Sequence, residues 1–263
     1  MLECVINISE GRDLEIIDRI ARTAGRDLLD VHSDGDHNRS VLTVVGTAAP
    51  RSIARATVES LDLRTHTGVH PRIGVLDVVP FVPLDGSTFD DALRARDEFA
   101  SWIAVELGVP SFLYGPERSL PDVRRGAFDP LVPDVGPAVP HPTAGAVAVG
   151  ARGTMLAWNL WLVEPDLALA RSIASAIRGP GVRALGLQVG EEVQVSMNLI
   201  DPLEMGPSEV YDRVSAMAEV RRAELVGLIP RVLFDAVEVD RRATLDLSAD
   251  RTIEARLEAG LRR

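Results

Sequence analysis

The chain has 263 residues, 46% hydrophobic and 25% charged, which suits a soluble globular protein with one large core or two smaller ones. A formal charge of −11 argues against nucleic acid or an anionic membrane as the main partner, and no apolar run approaches the roughly 18–20 residues that span a bilayer. All 28 basic residues are arginine and Cys4 is the sole cysteine; lysine Schiff bases, lysine-anchored pyridoxal phosphate, P-loops, intramolecular disulfides and thiolate zinc clusters are thereby excluded.

The opening "MLECVINISEGRD" lacks the basic segment and cleavage site of a secretory signal, so a cytoplasmic protein is expected. Within it "LECVINI" reads as a strand. "DLEIIDRIARTAG" then sets Leu14, Ile17, Ala21 and Ala24 on one helical face, with Gly25 as a stop. "LLDVHSD" and "SVLTVVG" are strand-like runs joined by the turn-rich "DGDHNR". "PRSIARATVESLDL" predicts a second helix and "VLDVVPFVP" a closing strand.

An additional helix, "TFDDALRARDEFASWIAVELG", and a short "SFLYG" run follow. The Pro/Gly-rich stretch from Gly126 to Gly145 is the best candidate for a functional surface loop. The second half then repeats the first: "MLAWNLWLV" as strand, "PDLALARSIASAIR" as helix with Pro165 in its first turn, "VRALGLQV" and "EEVQVSMNLI" as strands, "PSEVYDRVSAMAEVRR" as helix and "ELVGLIP" as strand.

Strand, helix, strand, strand, helix, strand is the split βαβ, or ferredoxin-like, unit. The fold expected is therefore α/β: two ferredoxin-like βαββαβ subdomains, residues 1–153 and 154–240, with a charged C-terminal helix or tail over 241–263. Two helices cover one face of each sheet, and the bare faces, expected to carry Val78, Phe81, Trp158 and Val195, need covering. Sheets stacked face to face around a ligand tunnel would satisfy that need.

The densest chemistry lies in "THTGVHPRIGVLDVVPFVP", residues 65–83. His66 and His70 have the i, i+4 spacing of a helical zinc pair, but Gly68 and Pro71 oppose a helix and no HExxH glutamate follows, so no metal is expected. Pro71 biases His70 towards extended backbone at the mouth of a strand, where an imidazole with a pKa of about 6.5 can accept and return a proton. Alternatively, His70 is an ordinary turn histidine. Arg72 offers a planar donor fork for a carboxylate, Asp77 could orient an imidazole or bind an amine, and His66 shapes the turn or supports His70.

"ECVINISEG", "DHNRSVLTVVG", "HTGVHPRIGVLDVVPFVP", "FLYG", "GPAVPHPTAGAVAVGAR", "AWNLWLV" and "VQVSMNLIDP…ELVGLIP" occur in this order. Together they resemble the glutamate formiminotransferase family from residue 3 to about 230. The resemblance implies two α/β subdomains about a folate-binding tunnel, and transfer of the formimino group of N-formimino-L-glutamate to N5 of tetrahydrofolate in histidine degradation. It makes the HPR histidine, His70, the general acid/base, with tetrahydrofolate as co-substrate and no metal. The folate segment is similar to "GPAVPHPTAG", with Gly136, Pro137, His141, Pro142, Thr143 and Gly145 as binding residues.

Both reactants carry carboxylates, so Arg39, Arg72 and Arg152 are candidates to hold them or to form structural ion pairs. Asn7 would hydrogen-bond the pterin or formimino group, or cap a turn; Asn38 shapes its loop. Asn159 and Asn198 lie within strands, where an unpaired amide costs about 1–3 kcal/mol, so a ligand or a cross-strand partner must satisfy each. Cys4 reads as a small core residue. Ile6 stands where the family has proline, His32 where some members are acidic, and Trp161 where the family's "FNxNL" has its second asparagine. The alternatives are a folate-dependent transferase with another one-carbon donor and a non-catalytic folate-binding relative. With the chain ending at residue 263, the cyclodeaminase domain fused to some relatives is expected to be absent. The expected assembly is a symmetric homodimer.

Overall fold

A computed structural model of the chain describes residues 1–68 and 71–261. The chain divides into two compact units, Met1–Gly153 and Thr154–Arg263.

The first unit opens with β1 (Leu2–Ile8), α1 (Leu14–Arg22), β2 (Leu28–Asp34), β3 (Arg39–Val45), α2 (Ala49–Ser60) and β4 (Leu76–Pro83). It continues with α3 (Phe89–Leu107), β5 (Ser111–Tyr114), α4 (Leu120–Gly126) and β6 (Val147–Ala151). The sheet order is β2-β3-β1-β4-β6-β5. The first four strands pair antiparallel, whereas β6 lies parallel to both β4 and β5.

Local chemistry explains the helix starts. Asp13 caps α1 by accepting from the Glu15 and Ile16 amides, and Thr88 and Asp91 form a capping box at α3, which Gly108 ends in the left-handed conformation. Alternate residues of β1, namely Leu2, Cys4, Ile6 and Ile8, pack with Ile20, Ile53, Phe99 and Ile103 of α1–α3. The Cys4 thiol is buried, and burial pushes its pKa well up. Phe81 belongs to this helix-covered core, its ring meeting Phe99 edge-on at 6.0 Å, and not to the bare face. Val78 does lie on the opposite side, where α4 sets Val123 against Phe112, Tyr114 and Ala148.

The second unit contains β7 (Leu156–Leu162), α5 (Leu167–Ile177), β8 (Val182–Val189), β9 (Glu192–Leu199), α6 (Pro207–Ser215), β10 (Val220–Val226), α7 (Arg231–Asp235) and α8 (Ile253–Leu261). Its antiparallel sheet runs β10-β7-β9-β8. In both units the strand–helix–strand–strand–helix–strand series places its fourth strand beside its first, then its third, then its second. Trp158 and Val195, expected on a bare face, instead join Ile173, Val210, Val214 and Leu245 in the core. The opposite phase of β7 carries Asn159 and Trp161.

One helix face and two element boundaries differ from the sequence reading. Leu14 is 66% exposed, and α1 buries Ile17, Ile20 and Ala21. Asp166 caps α5, which leaves Pro165 before the helix. Finally, α6 ends at Ser215, and Val220–Arg222 belong to β10, where Arg221 and Arg222 pair with Glu192 from an exposed strand edge. Among the described residues no helix is long and apolar enough to cross a membrane.

Candidate functional site

The candidate base His70 lies outside the described residues, as does Val69, but the chain up to Gly68 and from Pro71 onward is tied by hydrogen bonds. Asn38 is the hub. It sits in the left-handed region at φ 47°, between β2 and β3. Its side-chain oxygen accepts from the Gly11 amide at 2.9 Å and its Nδ2 donates to the Thr67 carbonyl at 2.8 Å. Its own carbonyl accepts from His66 Nε2 at 3.0 Å and Arg72 Nη1 at 3.2 Å. One asparagine thus ties the loop after β1, the β2–β3 turn and the approach to β4.

Arg72 donates to the His37 carbonyl at 3.1 Å and to His66 Nδ1 at 2.7 Å. Arg72 Nη1 also comes within hydrogen-bond reach of His66 Nε2, so the guanidinium borders both ring nitrogens of the imidazole. Burial, reinforced by the Arg72 and Arg12 charges, pushes the His66 pKa down, although the Asn38 carbonyl opposes the shift. Gly68 fits closely here: a Cβ would come within 2.5 Å of the His37 carbonyl oxygen. In the next turn His37 Nδ1 meets Asp34 at 2.7 Å, and Asp34 also accepts the Asp36 and His37 amides. Burial alone would raise the Asp34 pKa, but these hydrogen bonds prevail and hold it at about 2.

Beyond residue 70 a second clasp takes over. Arg124 of α4 donates to the Pro71 carbonyl and, at 2.6 Å, to Asp77 Oδ2; Asp77 Oδ1 accepts the Ile73 amide at 2.8 Å. Asp77 is almost wholly buried. Arg39, at the start of β3, lies within the fields of Asp77, Asp34, Arg124 and Arg72; burial drives its pKa down to about 10. Arg72 is likewise lowered, chiefly by burial.

The candidate folate segment reaches the same place. Its His141–Gly145 turn is closed by two backbone hydrogen bonds of 2.8 and 3.0 Å, and His141 Nδ1 accepts from the Ala144 amide at 3.0 Å. The Thr143 carbonyl accepts the Leu63 amide at 2.7 Å, and Gly145 bridges Gly74. Gly145 has φ 73°, and a Cβ there would fall 2.4 Å from the Ile73 carbonyl oxygen. Pro142 is exposed at the tip of the turn, and Gly136, with Pro137 after it, packs beside Ala104 and Pro110.

Other candidates are placed as follows. Asn7 lies near the end of β1, opposite Val41 and Val78, with Nδ2 donating to the Val5 carbonyl at 3.2 Å. Two residues on, Ser9 Oγ donates to the Gly74 carbonyl at 2.8 Å, so this end of β1 meets the same strand mouth. Arg152, just past β6, donates through its backbone to the Phe81 carbonyl and through Nη1 to the Gly153 carbonyl. In the second unit Asn159 and Trp161 both donate to Glu224 Oε2, at 3.2 and 2.8 Å, while Arg222 lies 4.0 Å above the Trp161 ring. Asn198, opposite Ala157, lies half-buried in β9.

Arg124 and Glu224 had not been singled out in the sequence. A signal for the helix that carries Arg124 was present: "SLPD" has Ser119 and Asp122 at capping-box spacing and Pro121 in the first turn. Nothing local pointed to Glu224. Among the described residues, no group of three or more His, Cys, Asp or Glu side chains could hold a metal ion.

Residues 1–152 match the family model described as formiminotransferase domain, N-terminal subdomain. The chain is 35% identical to the glutamate formimidoyltransferase of Streptococcus pyogenes serotype M1, covering 90% of this chain and 92% of that protein. It is 33% identical to the glutamate formimidoyltransferase of Thermoplasma acidophilum, over 88% of each chain. It is 37% identical to the formimidoyltransferase-cyclodeaminase of Sus scrofa, covering 90% of this chain but 51% of the relative, about half its length.

Proposed function

The chain belongs to the formiminotransferase family, and we propose on that premise that it transfers the formimino group of N-formimino-L-glutamate to N5 of tetrahydrofolate. The observation that carries this reading is the docking of the His141–Gly145 turn on Ile73–Gly74. It brings the candidate folate segment to the strand mouth that follows the candidate base.

In this mechanism N5 attacks the amidine carbon. The N5–C bond forms, the bond from that carbon to the glutamate nitrogen breaks, and glutamate leaves. His70 takes the N5 proton and returns one to the departing amine, a role worth roughly 10²–10⁴-fold. Holding two bulky reactants in register supplies much of the rest. Arg39, Arg72 and Arg152 meet the carboxylates of the reactants; of these, Arg72 also braces the turn. Asn7, Asn159 and Asn198 contact the formimino donor or the pterin, and Gly136, Pro137, His141, Pro142, Thr143 and Gly145 form the folate-binding segment. Ferredoxin-like subdomains, the ligand tunnel, a cytoplasmic homodimer and a reaction that needs no metal belong to the same reading.

The test is incubation of purified protein with tetrahydrofolate and formiminoglutamate. Formation of 5-formiminotetrahydrofolate and free glutamate is expected. Folate binding without turnover would refute the transferase assignment, and turnover only with a different one-carbon donor would refute the named donor.

A further inference from the structure

We infer that Arg124 is a positioning residue for the transfer, acting through Asp77 and Pro71 on the segment that follows His70 in the chain. The inference rests on the transferase reading and adds to it a residue from a distant part of the chain.

Arg124 is fixed before it reaches the site. Ser119 and Asp122 cap α4, and Val123, fully buried, anchors the helix on Phe112, Tyr114 and Ala148. From that mount the guanidinium makes two kinds of contact with the 71–77 segment. It holds the Pro71 carbonyl directly, and it holds the Asp77 carboxylate at 2.6 and 3.4 Å. Asp77 in turn receives the Ile73 amide at 2.8 Å. One planar fork thus holds Pro71 directly and Ile73 through Asp77, and Pro71 is covalently bonded to His70. A lysine ammonium has no planar fork with which to span a carbonyl and a carboxylate together.

The arrangement suits a base that has to be accurately placed. Catalytic groups need positioning to within about 0.5 Å, and an error of about 1 Å can cost 10²-fold in rate. The preceding side is already fixed by Asn38, His66 and Thr67. Without Arg124 the following side keeps its Arg72 contacts but loses the hold on the Pro71 carbonyl and on the Asp77 carboxylate.

The test uses the full-length protein with tetrahydrofolate and formiminoglutamate, comparing wild type, Arg124→Ala, Arg124→Lys and His70→Ala. Arg124→Ala should lower kcat about 10²-fold while both KM values stay within about threefold. Methylguanidinium in the assay should restore most of that loss in Arg124→Ala and none in His70→Ala. Arg124→Lys, if it folds with a near-wild-type melting temperature, should remain slow. Amide exchange at Ile73, read independently of turnover, should accelerate in Arg124→Ala. Undiminished kcat in Arg124→Ala, or a loss that methylguanidinium does not repair, overturns the positioning role. An inactive wild type overturns the transferase reading and the positioning role together, and the Ile73 exchange then reports only whether the clasp exists.

Discussion

Arg124 and Asp77 form an ion pair of 2.6 Å in which the carboxylate is nearly inaccessible and the guanidinium mostly covered. Asp77→Ala would remove the carboxylate that accepts from that guanidinium and from the Ile73 amide, leaving the guanidinium its Pro71 contact. We expect a loss of about 3 kcal/mol in urea-monitored stability, the lower end for breaking a buried pair. Replacing both partners with apolar residues, Asp77→Leu with Arg124→Met, should cost less than Asp77→Ala alone, because no charge is then stranded.

The Asp34–His37 contact gives the first unit an acid-sensitive joint. The folded-state pKa of Asp34, about 2, lies below its ordinary 3.8, so its contribution is present above pH 4 and is lost as pH falls towards 2. Because the carboxylate is partly solvated, about 1–2 kcal/mol is at stake. Asp34→Asn should flatten the acid limb of the stability curve between pH 4 and 2, with little further change above pH 5.

Gly145 holds the candidate folate turn against the backbone of Ile73. Gly145→Ala adds a left-handed penalty of about 1–3 kcal/mol and places a methyl against the Ile73 carbonyl and Leu63. We expect lower thermal stability and weaker tetrahydrofolate binding by titration. Gly153→Ala, where a Cβ would meet nothing within 4 Å, should leave both unchanged.

Glu224 is the shared acceptor of Asn159 and Trp161, whose side chains are largely buried. Because a carboxylate only accepts, it turns the Asn159 amide nitrogen towards itself and leaves the amide oxygen for another donor. Glu224→Ala should cost about 1–3 kcal/mol of stability in denaturant titration, and Glu224→Gln, which retains an acceptor oxygen, should recover much of it. If Asn159 meets the formimino donor, Glu224→Ala should also raise the KM for that donor more than the KM for tetrahydrofolate.

The parts of this architecture written in short-range pattern were legible from sequence. Alternation along "LECVINI" and the Thr88–Asp91 cap specify their elements by themselves. Asn38 was readable as a loop-shaping residue because asparagine tolerates φ above zero and has both a donor and an acceptor. Face assignments failed where both phases of a strand are apolar: in "LDVVPFVP" the period-2 signal cannot say which way Phe81 points. Helix α4 was missed because seven residues with Gly126 at the end resemble loop. Its partner Asp77 is distant in sequence, and such pairings are set by the fold. The arginines of "VRRAELV" masked a strand because their charges are satisfied across the sheet by Glu192 and on the Trp161 ring.

The transfer proposed above depends on one imidazole, that of His70, to move the N5 proton. That dependence is tested most directly by single-turnover formation of 5-formiminotetrahydrofolate in wild type and in His70→Ala at saturating reactants. The expected result is a rate lower by roughly 10²–10⁴-fold in the variant, with tetrahydrofolate affinity nearly unchanged. Equal rates in the two proteins would contradict it.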